Sequence, residues 1–279
     1  MERCASGGIS YLKAGPKAGP TAGGEKPLPL VLLHGIGSNG LSFSPLMGCL
    51  SGRRELIAWD APGYADSEPL SEDWPSSVIY AQALAALLDR LGHSRVDLLG
   101  HSLGAMIAGR YAALYPGRVG KLVLASPALG YRTVPGEALS PGAAARIDSM
   151  VNEGVERFAA ARGPRLVFRK DRRDVVAAVV KAMSEVKMPG FAQSSRMLSS
   201  GDLVSDATLI QAATLVLVGE QDEVTKPATC EHIYDALLAA SPALGHRFEL
   251  IADAGHAVVQ ERPDVVAELI ESHLETTKV

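Results

Sequence analysis

Three short stretches of this 279-residue chain carry side chains that could act on one another chemically. Ser102 stands between glycines in Gly100-His101-Ser102-Leu103-Gly104, Asp222 lies in Gly219-Glu220-Gln221-Asp222-Glu223, and His256 lies in Ala252-Asp253-Ala254-Gly255-His256-Ala257. A serine hydroxyl is a poor nucleophile at its own pKa. It needs a base within hydrogen-bond reach, and a histidine serving as that base needs an acid to hold its tautomer. Asp222 is the first choice for the acid, with Glu223 and Asp253 ranked behind it. His34 reads as a brace for the glycine-rich loop that follows it, and His101, next to the serine, as a wall of a substrate pocket. His93, His232, His246 and His273 sit in helix or loop contexts where solvated histidines are usual, and no role is assigned to them.

The elements needed to position these groups are visible around each of them. Residues 95–115, RVDLLGHSLGAMIAGRYAALY, pass from a β-branched and leucine-rich run through a glycine to a helix-period segment, which is strand, tight turn, helix. Small residues two before and two after the serine suit a bend so sharp that a Cβ there would meet the neighbouring strand or helix. Such a turn leaves the hydroxyl exposed at its tip. TLVLV (214–218) is a buried strand leading into the Asp222 loop, and FELI (248–251) is one leading into the His256 loop. Ligands of open α/β sheets bind outside the carboxyl ends of the strands, which is where all three loops fall.

Further strands are expected at residues 8–13, 28–33, 56–59 and 121–126, with helices at 43–50, 75–92, 227–239 and 263–274. Residues 14–27, AGPKAGPTAGGEKP, are too rich in glycine and proline for an element and read as a long loop. Strand and helix alternate, which is the pattern of a parallel sheet covered on both faces. The alternation stops at residues 127–206, where only helix-like segments occur, near 142–162, 171–187 and 191–200. This block reads as an inserted helical cap, with residues 1–126 and 207–279 forming the α/β core. The insertion carries more basic than acidic residues. A solvated basic face explains that balance, with attraction for a carboxylate-bearing substrate as the alternative. Met183, Met188, Phe191, Met197 and Leu198 are candidates to line its pocket, against core packing as the competing role.

Composition narrows the function classes. Apolar residues make up 47% and charged residues 21%, with a net charge of −4 and no block of like charges, so neither nucleic acid nor an anionic membrane is expected as a partner. The three cysteines, Cys4, Cys49 and Cys230, are scattered without C-x-x-C spacing, which argues against a disulfide framework and a zinc site and suits a reducing cytosol. The start of the chain lacks the apolar core of a secretory signal, and no run approaches a membrane span in length, so a cytoplasmic protein is expected. A homo-oligomer is left open.

Together, His34-Gly35, the Ser102 turn, Gly219-Glu220-Gln221-Asp222 and Gly255-His256 resemble the α/β-hydrolase superfamily, in its cap-bearing serine hydrolase branch, over nearly the whole chain. The order Ser, Asp, His is the order of that superfamily. The resemblance implies Ser102 as nucleophile, His256 as base and Asp222 as orienting acid. Ser126 stands where some members keep their acid. It implies an oxyanion hole of backbone N–H groups from Leu103 and Ile36, with Gly37 as contributor. Residues 60–67 are similar to the family's D-x-x-G-x-G-x-S loop, with Ala65 in place of a glycine.

The expected activity is cofactor-independent hydrolysis of a small carboxylic ester or lactone through an acyl-enzyme, with no metal. Ser102 stands where epoxide hydrolases and haloalkane dehalogenases of this fold have aspartate. Hydrolysis of a carbon–carbon bond in a diketone-like ring-cleavage product is the alternative, lowered by Ala257 where many such enzymes carry tryptophan. A small-molecule receptor of the same fold is the third reading.

Overall fold

Runs that are apolar at nearly every position become strands covered on both faces. In the computed structural model, which describes residues 1–16 and 27–275, eight strands form one sheet in the order β1-β2-β4-β3-β5-β6-β7-β8. They are β1 (Glu2–Ser6), β2 (Ile9–Ala14), β3 (Leu30–Leu33), β4 (Leu56–Trp59), β5 (Val96–His101), β6 (Val119–Ala125), β7 (Ala213–Gly219) and β8 (Arg247–Ile251). β1 pairs antiparallel with β2, and β2 with β4; every other pairing is parallel. Because successive side chains alternate across a sheet, Val31, Leu33, Ile57 and Leu98 join one core, while Leu30, Leu32, Leu56 and Leu99 join the other.

Helices fill both layers. α1 (Ser44–Leu50), α10 (Val258–Glu261) and α11 (Pro263–Glu275) cover one face; α2 (Ser77–Arg90), α3 (Leu103–Leu114) and α9 (Pro227–Ala240) cover the other. Between β6 and β7 lie α4 (Pro141–Glu153), α5 (Val155–Arg162), α6 (Arg173–Ser184), α7 (Gly190–Ser200) and α8 (Leu203–Ala207). The expectation of a single helix over 142–162 is corrected by Gly154, whose φ of 85° is outside the right-handed helical region, so α4 ends and α5 begins there. α4 itself opens on Pro141, with the Ser140 hydroxyl accepting a hydrogen bond from the Ala143 amide. β1 was not expected: ERCAS is a mostly exposed edge strand of mixed polarity, specified by its pairing with β2 rather than by an apolar run. Of the expected 14–27 loop, residues 17–26 lie outside the described residues.

α7 sits against the residue 60–67 loop with unusual intimacy. Gly63, at φ 80°, and Gly190 meet backbone to backbone, and a Cβ on either would collide with the other. Gln193 Nε2 donates to the carbonyls of Leu70 (2.7 Å) and Glu72 (2.9 Å), which satisfies both donors of its buried amide and ties α7 to the chain after that loop. The topology then decides where the chemistry falls. The chain leaves β3 toward β4 on one side and returns to β5 on the other, so the order reverses between β3 and β5. The carboxyl ends of β3, β5, β6, β7 and β8 all face one edge, and the loop after β3 and the Ser102 turn meet at that reversal.

Candidate active site

The backbone of Ser102 has φ 54° and ψ −114°, a conformation that costs a non-glycine residue roughly 1–3 kcal/mol and survives only where its surroundings impose it. Here they do. A Cβ at Gly100 would strike the Gly104 carbonyl, and a Cβ at Gly104 the Leu33 carbonyl, so strand and helix close on the turn from both sides. The Ser102 amide donates to the Ala125 carbonyl (2.9 Å), and its own carbonyl accepts from the amides of Ala105 (3.1 Å) and Ala128 (3.2 Å). Ser126 (φ 44°) after β6 and Asp253 (φ 56°) after β8 also hold positive φ, so backbone strain concentrates along this edge.

A chain of hydrogen bonds runs inward from the hydroxyl. Ser102 Oγ lies 3.0 Å from His256 Nε2, and His256 Nδ1 lies 2.9 Å from Asp222 Oδ2. Asp222 Oδ1 accepts from the amides of Val224 (2.8 Å) and Thr225 (2.9 Å), and Oδ2 lies 2.9 Å from the Thr225 hydroxyl. Burial alone would raise the Asp222 carboxyl. The hydrogen bond and charge of His256 and the two amides outweigh it, and hold the carboxyl down at about 2. An ionised Asp222 can only accept, so Nδ1 carries the ring proton and Nε2 is left bare toward the serine. Such an arrangement can take a proton from the hydroxyl as it attacks and stabilise the imidazolium that results. Glu223 instead faces solvent and pairs with Lys226 (3.4 Å), and Asp253 is exposed, so neither is brought to His256.

His101 corrects an expectation. It borders only a small hollow behind Ser102 and His256, not the large cavity. Its Nε2–H donates to the His256 carbonyl (2.7 Å), tying the His256 loop to the serine turn, and burial together with the neighbouring His256 pushes its pKa down to about 3, so it remains neutral. His34 does brace its loop. Its Nδ1–H donates to the Gly35 carbonyl (2.8 Å), and Nε2 accepts from the Ala61 amide (2.9 Å). Burial lowers its pKa.

The loop after β3 lies directly over the serine, since a Cβ added to Gly35 would be 3.0 Å from Ser102 Cβ. Ile36 borders the cavity with Ser102, and Leu103 opens α3, where the first N–H groups of a helix have no partner within it. Gly37 borders the cavity as well, beside Ile36 and Ser102. Tyr64 Oη lies 2.6 Å from Ser194 Oγ on α7, which donates onward to the Phe191 carbonyl (3.0 Å). Burial raises the Tyr64 pKa to about 12, so the phenol keeps its proton and this relay runs one way, from Tyr64 O–H through Ser194 to the Phe191 carbonyl.

Above Ser102 and His256 opens a cavity of about 440 Å³, within the range of small-molecule sites. Met183, Phe191 and Leu198 border it. Met197 does not, being fully buried in the core between helices, and Met188 is 40% exposed on a separate outer groove beside Gly63 and Lys187. These two assignments are corrected: α7 turns Phe191 and Leu198 toward the cavity and Met197 away from it, while Met188 precedes the helix. Residues the sequence reading passed over are Thr225, Tyr64 and the arginines Arg146, Arg162 and Arg165, all but Tyr64 on the cavity wall. Asp222 is itself an Asx-turn former, its Oδ1 accepting from the Val224 amide two residues on. Nothing in sequence marks which arginines face inward. Among the described residues no cluster of three or more His, Cys, Asp or Glu could hold a metal ion, and no helix is long and apolar enough to cross a membrane.

The sequence model of a family described as alpha/beta hydrolase fold matches residues 29–263. Polyketide synthase ThaQ of Burkholderia thailandensis is 29% identical over 88% of this chain, which spans only 12% of that protein's length. A pimeloyl-[acyl-carrier protein] methyl ester esterase of Shewanella woodyi is 27% identical over 80% of this chain and 90% of its own. Among solved structures, the enol-lactonase from Burkholderia xenovorans LB400 superposes with a TM-score of 0.83, at 22% identity over 99% of this chain and 100% of the other, a likeness of fold.

Proposed function

The chain belongs to the alpha/beta hydrolase fold family, and from that premise we propose that it is a cofactor-independent serine hydrolase that cleaves a small carboxylic ester or lactone through an acyl-enzyme. The observation that carries this reading is the unbroken chain from Ser102 Oγ to His256 Nε2 (3.0 Å) and from His256 Nδ1 to Asp222 Oδ2 (2.9 Å), opening onto a cavity of substrate size. The esterase relative supports an ester as the scissile group.

His256 Nε2 takes the Ser102 proton as Oγ attacks the carbonyl carbon, forming a tetrahedral oxyanion. The amides of Leu103 and Ile36 stabilise that charge. Backbone donors suit the task because they stay aimed without side-chain reorganisation, and loss of one such donor typically lowers turnover by about 10²–10³. His256 then returns the proton to the departing alkoxide, leaving acyl-Ser102. It next takes a proton from water, whose attack releases the acid and restores the hydroxyl. Asp222, ionised throughout, holds the ring in the required tautomer. His101 and Thr225 act on its position, the first through the His256 carbonyl and the second through the carboxylate. Residues 127–206 act as the cap, closing over the bound molecule and setting the volume available to it.

The test is a turnover screen of short esters, lactones and vinylogous diketones with the native protein and Ser102→Ala. Turnover and fluorophosphonate labelling are both expected to vanish in the variant while the fold persists. Labelling that persists at another residue overturns the assignment, and turnover restricted to diketones overturns the choice of scissile bond.

A further inference from the structure

The cavity above Ser102 is apolar on most of its wall, with Phe158, Met183, Phe191 and Leu198 among its residues, yet three arginines share it: Arg146 from α4, Arg162 from the end of α5 and Arg165 from the turn that follows. No aspartate or glutamate lines it. Three other arginines of the same inserted segment have carboxylate partners, Arg132 with Asp202 (3.0 Å), Arg169 with Asp171 (2.7 Å) and Arg172 with Asp174 (3.0 Å). Among the described residues, Arg146, Arg162 and Arg165 form no ion pair with a carboxylate. Arg146 Nη1 is shut off from solvent without a hydrogen-bond partner there. Such a donor is costly to leave unmet.

From these observations we propose that Arg146, Arg162 and Arg165 form an anion subsite that receives a carboxylate carried by the substrate, at the end remote from the scissile carbonyl and separated from it by an apolar spacer. The proposal rests on the reading of Ser102 as nucleophile, which fixes where the carbonyl sits. Burial and the repulsion of Arg146 and Arg165 lower the pKa of Arg162, which is the mark of cations gathered without their counter-ion; the one carboxylate acting on Arg162, Glu153, is exposed and weakest among the influences. Arg162 is held over the Phe158 ring, 4.9 Å from its centroid, and Phe158 meets Phe191 edge-on (5.2 Å), so the cation is anchored on the apolar wall rather than trailing in solvent. A guanidinium offers paired donors that match a carboxylate.

The test uses protein carrying Ser102→Ala, which binds without turnover, and titrates it calorimetrically with monomethyl suberate and with dimethyl suberate at low ionic strength. The monoanion is expected to bind about tenfold to a hundredfold more tightly than the neutral diester. That ratio should collapse toward one when Arg146→Gln and Arg162→Gln are combined, with circular dichroism confirming the fold. Arg165→Gln, at an exposed position that is safe for folding, should lower the ratio alone. Equal binding of the two esters, or a ratio indifferent to all three arginines, overturns the subsite. Tighter binding of a phosphonate-ended analogue overturns the assignment of a carboxylate. Because no arm requires catalysis, failure here is distinct from failure of the serine assignment, which fluorophosphonate labelling of the native protein reads separately.

Discussion

Replacing Tyr64 by phenylalanine probes whether the residue 60–67 loop and the inserted helices are joined through one phenol. The substitution removes a single oxygen and leaves the buried ring in place, so no cavity complicates the result. It removes the 2.6 Å bond to Ser194 Oγ, which keeps its own donation to Phe191. A buried hydrogen bond contributes about 0.5–1.5 kcal/mol net, so a loss of about 1 kcal/mol is expected in urea unfolding, as a lower midpoint at unchanged slope. Ser194→Ala should also destabilise by orphaning the phenol proton. The double variant should cost less than the sum of the two, by about 0.5–1 kcal/mol or more, since both ends of one bond are then absent. The Tyr64 ring packs edge-on against His34 (5.0 Å), which braces the loop that carries Ile36, so loosening the phenol should lower kcat on a short p-nitrophenyl ester by about tenfold with little change in KM. Additive single effects, or Tyr64→Phe at native stability, would refute the relay.

Three further outcomes are expected. Asp222→Asn keeps the shape of the site but presents a donor where His256 Nδ1–H needs an acceptor, so kcat should fall by about 10⁴; a loss under tenfold would move the orienting role elsewhere. The Asp222 carboxyl is held at about 2 against 3.8 for the free group, so its contribution of about 2 kcal/mol is complete above roughly pH 4 and is lost as pH falls toward 2. The difference between native and Asp222→Asn unfolding curves should shrink over that interval, and a difference independent of pH would contradict the depressed value. Gly104→Ala places a methyl against the Leu33 carbonyl and should destabilise by about 3 kcal/mol or more, whereas Gly92→Ala, with open space around its Cβ but φ 77°, should show only the smaller cost of its backbone. Comparable melting temperatures for the two would refute the packing explanation of the serine turn.

The meeting of the three side chains was legible in sequence because it depends on local signals that the sheet cannot override. Apolar runs specify buried parallel strands, glycines mark the bend at Ser102, and polar loops after those strands must emerge at the carboxyl edge, so Ser102, Asp222 and His256 could be named from type and order. Asp222 was separable from Glu223 only in part. The structure places Asp222 toward Thr225 and His256 and turns Glu223 to Lys226, a choice made by the Asx turn. β1 escaped notice because an exposed edge strand owes its conformation to its neighbour rather than to its own pattern.

What only the tertiary structure decided lies in the residues between β6 and β7 and in the loops they touch. A helical period says that one face is buried, but not against what, and so it could not separate Phe191 and Leu198 on the cavity wall from Met197 in the core. Nor could it show that Met188 faces outward, that His101 serves the His256 carbonyl, or that Tyr64 reaches Ser194 of α7. An arginine at a helix surface looks the same in sequence whether it meets an aspartate across solvent, as Arg172 does, or shares an apolar cavity, as Arg162 does. The distinction is made by how helices stack, and stacking is a property of side-chain shapes meeting across long separations in the chain. The sequence by itself determined which three groups meet and the sheet that presents them; the packing of the inserted helices decided which side chains wall the cavity above them.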